Sequence, residues 1–121
     1  MTRNEIQSIT EKVYEKVMNH YGESKHHNHF PYIAIEDTPY SDEDVPKDLY
    51  GEYCSMLNEV TLYWKNIPSL EVLIRTLVHE YQHYLQSPSW MRRYYNMGYG
   101  YSDHPYEVAA FNEEENWKNF I

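Results

Sequence analysis

Cysteine is nearly absent from this chain: Cys54 stands alone, so no disulfide can close within it. There are only 3 phenylalanines and 4 glycines in 121 residues, and no stretch approaches the roughly 20 apolar residues of a membrane helix. Basic residues are also scarce, 10 Lys and Arg against 19 Asp and Glu, which gives a formal charge of −9. Such a chain is repelled by phosphate backbones and anionic lipid, which argues against nucleic acid or membrane as the main partner. The opening MTRNEIQSITEKVYEK is too polar for a secretory leader, and the expectation is a soluble, cytoplasmic protein.

Tyrosine fills the gap, with 14 residues. Its ring supplies area plus a polar handle, which suits a shallow cleft as well as a core. The length predicts one domain, residues 1–121, that hides roughly two-thirds of its unfolded surface.

Residues 2–21 carry Ile6, Ile9, Val13, Val17 and Tyr21 on one helical face. Thr2 with Glu5 has the form of a capping box, and Gly22 sits where a helix end favours positive φ. In PYIAIED the alternation of Ile33 and Ile35 predicts a short strand, and TPYSDEDVPKD reads as a surface loop. A hairpin follows: strands over 51–55 and 59–65, a turn near Leu57 and Asn58, with Val60, Leu62 and Trp64 on one face. The second of these strands is a candidate sheet edge, on which an extended peptide could pair.

The period then changes. Leu70, Leu73, Ile74, Leu77, Tyr81, Tyr84 and Leu85 share a broad helical face, between Pro68 near the start and Pro88 at the close. SPSWMRRYYNMGYGYSD reads as a long connection into a last helix over 105–120, entered through Asp103 as N-cap. The fold class expected is α+β.

Inside the second helix, HEYQH places His79 and His83 at i and i+4, where their Cβ atoms lie about 5 to 6 Å apart. Both rings can therefore address one metal ion, and Glu80, beside rather than on it, stands where a base for a metal-activated water belongs. The bland alternative is surface or capping histidines on an ordinary helix. Two histidines bind weakly, so a third ligand is required. The three-histidine continuation fails, because it needs Gly and His where the chain has Gln86 and Ser89. Glu107 in HPYEVAAF is the best candidate, across a connection long enough to reverse direction, with Ala109 and Ala110 allowing close helix approach. His104 and Asp103 are its rivals, and a favourable charge in a first helical turn is the alternative role for Glu107.

HEYQH followed by HPYEVAAF resembles the gluzincin branch of zinc metallopeptidases, in particular its minimal members, the minigluzincins, the SprT-like peptidases and the phage-repressor-cleaving peptidases. The resemblance implies a zincin-like fold: a sheet with an edge strand, a metal helix, and a later helix supplying a glutamate ligand. It implies one Zn²⁺ held by His79, His83 and Glu107, and hydrolysis of a peptide or protein substrate with Glu80 as general base. Phe111 departs from the pattern, since many gluzincins carry there an Asp that orients a histidine; Asp103 and Glu114 are the substitutes considered. A catalytically silent zinc-binding regulatory or interaction module is the rival function, and a metal-free domain is the third.

Two further stretches have bland readings. HHNH, with His26, His27 and His29, reads as a solvated loop before a second metal site. WMRRYYNMGYGY reads as a cleft wall or lid before a nucleic-acid platform, and any of Tyr94, Tyr95, Tyr99 and Tyr101 qualifies to stabilise an oxyanion.

Overall fold

The computed structural model describes residues 1–39 and 48–121. Most of the expected loop at 38–48 therefore lies outside the described residues. Among the described residues the architecture is α+β, four α-helices with a three-stranded mixed sheet.

Helix α1 (Arg3–Tyr21) starts at Thr2, whose side chain accepts from the Glu5 amide, and stops at Gly22 with φ 78°. Ile6, Thr10, Val13 and Val17 form its buried face. Strands β1 (Tyr32–Glu36), β2 (Gly51–Cys54) and β3 (Glu59–Tyr63) follow in the order β1-β3-β2 across the sheet. β1 runs parallel to β3 and β2 antiparallel to it.

This order corrects the expectation that residues 59–65 form an edge: β3 is the central strand, and β2 is an outer one. A strand's side-chain period reports its faces and not its neighbours, so centrality was invisible. β3 also ends earlier, because Trp64–Asn66 turns into a 3-10 segment. Val60 and Leu62 point into the core as expected, while the hairpin turns through Asn58 at φ 49°.

Helix α2 (Leu70–Leu85), capped by Ser69, is the centre of the molecule and buries residues on most of its circumference. Leu73, Ile74, Leu77, Val78, Tyr81 and Tyr84 pack with Ile6, Val17, Val60, Leu62 and Phe120 in one core. Its buried hydroxyls are satisfied at a distance: Tyr81 donates to the Gly22 carbonyl at 2.5 Å, and Tyr84 accepts from the Ser24 amide at 3.1 Å.

Three expectations fail beyond α2. The supposed connection contains helix α3 (Pro88–Asn96), in which Pro88 does not close α2 but opens a new helix capped by Ser87. Helix α4 (Pro105–Glu113) is shorter than 105–120, with 3-10 backbone over Glu114–Phe120, and its N-cap is His104 rather than Asp103. Among the described residues, no helix is long and apolar enough to cross a membrane.

Candidate metal and catalytic site

α2 carries His79 and His83 one turn apart on the face turned toward α4, and their ring centroids lie 5.0 Å apart. Each ring is oriented through Nδ1. His79 Nδ1 donates to Glu114 Oε2 at 2.8 Å, and His83 Nδ1 donates to Gln86 Oε1 at 2.7 Å. The Gln86 amide is held in turn, since its Nε2 donates to the Tyr106 carbonyl at 3.0 Å. With Nδ1 committed as donor, a neutral imidazole presents a lone pair at Nε2.

Both lone pairs meet Glu107. Its Oε1 lies 3.5 Å from His79 Nε2 and packs directly against His83 Nε2. Two lone pairs and a carboxylate oxygen repel one another unless a cation lies among them, which means protons or a metal ion. Without metal, protons fill that role. Burial alone would lower the His79 pKa, but hydrogen bonds to Glu107 and Glu114 outweigh it and raise it to about 10. Burial likewise would raise Glu107, and the two histidines instead hold it down at about 2.

Glu80 stands beside this point, Oε1 4.0 Å from His79 Nε2. It is buried, its Oε2 has no hydrogen-bond partner, and burial pushes its pKa up to about 7. Glu107 Oε1 is buried too, with the two Nε2 atoms as its polar neighbours. A buried oxygen without a partner, such as Glu80 Oε2, is rare in folded proteins, and an ion is one explanation for it. The donor set fits a metal: His79, Glu80 and His83 could hold an ion, their ligand atoms all lying within 4.8 Å of one another. No other such group occurs among the described residues, so His26, His27 and His29 do not gather a second one. Their loop is tied down instead, His27 to the Tyr53 hydroxyl at 3.0 Å and His29 to Asn58 at 3.1 Å.

The rival ligands are elsewhere. His104 is fully buried, its Nδ1 accepting from the Tyr106 amide and its Nε2 donating to the Met91 carbonyl at 2.9 Å. Both nitrogens are therefore in structural use. Asp103 is exposed in the preceding turn. Of the two carboxylates considered as partners of a histidine, the structure brings Glu114 to His79, and Phe111 packs on the same ring at 4.6 Å. Ala110 is buried in the contact with α2, whereas Ala109 faces solvent.

A cleft of about 340 Å³ opens onto Glu80, His83 and Glu107. Gly51, Glu52 and Tyr53 of β2 and Pro88, Met91 and Tyr95 of α3 line it, together with Tyr101. Of the four candidate tyrosines, Tyr95 and Tyr101 line the cleft, and burial first, then Glu107, raises both hydroxyl pKa values; Tyr101 alone also borders the smaller pocket beside His79 and Glu80. Tyr94 packs against His104 and Tyr106 instead. Sequence reasoning missed α3 as a helix and Gln86 as a partner of His83; the Ser87-Pro88 pair was a usable N-terminal signal for the helix. Comparison with family models, with curated proteins and with solved structures finds no match to the chain.

Proposed function

We propose that the chain is a zinc-dependent endopeptidase of zincin-like fold, with His79, His83 and Glu107 as ligands and Glu80 as general base. The observation that carries this reading is the convergence of two Nε2 atoms and one carboxylate oxygen at a buried point, with a second carboxylate unpaired beside it. Two imidazoles and a carboxylate suit zinc, which in catalytic sites takes three protein ligands and keeps one position open. Zinc bound there supplies Lewis acidity toward a peptide carbonyl and a water molecule.

The chain's own groups account for the remaining work. Glu114 and Gln86 keep both Nδ1 atoms protonated, so that Nε2 is free to bind. Glu80 takes a proton from the attacking water and passes it to the leaving amine, and its burial, which favours the protonated form, suits it to hold that proton between the two transfers. Tyr101 keeps its proton and offers a hydrogen bond to the carbonyl oxygen as charge develops on it. The outer strand β2, with Gly51, Glu52 and Tyr53 along the cleft, offers backbone groups to an extended substrate.

Metal analysis of the untreated protein and of Glu80→Gln tests the reading. The expected result is about one zinc per chain in both, with cleavage of an unfolded protein only by wild type. Equal cleavage by the variant removes Glu80 as base, and stoichiometric zinc with no cleavage at all favours the silent binding module.

A further inference from the structure

We infer that the cleft selects cationic peptides, seating a large apolar side chain against Met91 and Tyr95 and a Lys or Arg side chain beside Glu52. This rests on reading the site as one that receives peptide, and it adds which peptides it receives.

Glu52 is a carboxylate that the metal constellation does not use. It lies on β2 and lines the same cleft as Glu80, His83 and Glu107. Tyr63 donates to its Oε1 at 2.6 Å, which fixes the side chain. No Lys or Arg pairs with it among the described residues.

The surroundings do not supply a cation either. Among the described residues, neither this cleft nor the smaller pocket of about 180 Å³ on the far side of Glu80 is lined by any Lys or Arg. Glu52, Glu80 and Glu107 line the cleft, and Glu114 lines the second pocket, which shares Leu49, Gly51, Glu80 and Tyr101 with it. One divalent ion does not offset Glu52, Glu107 and Glu114 together, even when Glu80 carries a proton. A substrate side chain of positive charge is favoured in such a site and one of negative charge is repelled, because walls of low polarity focus the field.

The walls are apolar. Pro88, Met91 and Tyr95 from α3 line the cleft together with Leu49 and Tyr53. A peptide laid along β2 would place one side chain against α3 and its neighbour on the opposite face of the strand, since strand side chains alternate. Glu52 and Met91 are thus suited to consecutive or nearby positions of one substrate.

The test uses the full chain loaded with zinc and two labelled peptides that share a central Phe, flanked by Lys in one and Glu in the other. Binding to Glu80→Gln, read by fluorescence anisotropy, is independent of turnover; kcat/KM of wild type reads cleavage. The Lys peptide should bind roughly fivefold more tightly at low salt. That advantage should shrink in about 0.5 M salt, as screening requires. Added to Glu80→Gln, Glu52→Gln, which still accepts from Tyr63, should remove most of the preference, and Glu52→Lys should reverse it. Replacing Phe by Ala should cost roughly tenfold, and much less when Met91→Glu is added. Equal binding of the two peptides, or a preference untouched by Glu52→Lys, overturns the inference whether or not wild type turns over. Charge-selective binding without Glu80-dependent hydrolysis would uphold the inference and sink the peptidase reading.

Discussion

Glu114 reaches back from the segment after α4 to hold His79, Oε2 to Nδ1 at 2.8 Å. The pair joins the far end of the chain to the central helix, and it serves the ring that sits against both Glu80 and Glu107. Glu114→Ala should weaken zinc binding roughly 10- to 100-fold, and Glu114→Gln by less, because the amide still accepts the hydrogen bond. Competition with a chromophoric chelator measures this, with circular dichroism as the control for folding. Unchanged affinity in the alanine variant would remove Glu114 from the site.

His104 and Glu107 should separate cleanly. His104 is fully buried and capped at both nitrogens, so His104→Ala loses two hydrogen bonds and its packing, a cost of about 2–4 kcal/mol. Urea unfolding reads that loss, while zinc occupancy at saturating metal should persist. Glu107→Ala should instead deplete zinc more than His104→Ala does. The opposite ordering would transfer the third-ligand role to His104.

The metal-free protein should be most stable at mildly acidic pH. His79, raised to about 10, contributes stability that is complete below its ordinary value near 6.5 and disappears as pH rises through 10. Glu107, held near 2, contributes stability that is complete above about 4.5 and disappears as pH falls through 2. Glu80, raised to about 7, works in the same direction as His79, since its buried carboxylate is costlier once ionised. Urea midpoints in chelator should therefore be lower at pH 9 than at pH 5.5. Zinc uptake near neutrality should release protons. A midpoint that climbs from pH 5.5 to 9 in chelator would contradict the protonated-histidine account.

Gly51 lets β2 press close to its neighbours. A Cβ there would stand 2.8 Å from both the Thr61 carbonyl oxygen and the Thr76 methyl carbon. The Thr61 atom belongs to the backbone of β3 and cannot rotate away. Gly51→Ala should cost about 1–3 kcal/mol and push β2 out of place along the cleft, raising KM for peptides. Thermal melting and steady-state kinetics check the two effects, and a neutral melting temperature would show that the strand moves freely.

The central helix could be read almost whole from the sequence, because its apolar period and the HEYQH spacing report local geometry that survives in any fold. α1 was equally plain, with both of its caps in place. Strand order was not, since Val60 and Leu62 would be buried in a central strand or an edge strand alike. α3 escaped although Trp90 with Tyr94 and Met91 with Tyr95 repeat at helical spacing, because it is short, buries no residue completely and runs into a glycine-bearing aromatic stretch that reads as a loop; Ser87 and Pro88 also announced it. The approach of Glu107 to the histidines was expected from ligand chemistry, whereas the partners of Nδ1 were legible only in part. Glu114 was one of two candidates, and Gln86 entered only as the residue that excludes a third histidine. Partners at that remove depend on how α4 and its 3-10 extension turn, which no local pattern states.

Helix α3 forms a wall of the cleft while contributing no fully buried side chain to the core. Its outward residues can therefore drift without unfolding the protein, and its inward ones can be exchanged at small thermodynamic cost. Variation should accumulate there faster than on α2, where nearly every position is committed. For an engineer, Met91 and Tyr95 are the natural positions to randomise when a new substrate preference is sought on this scaffold.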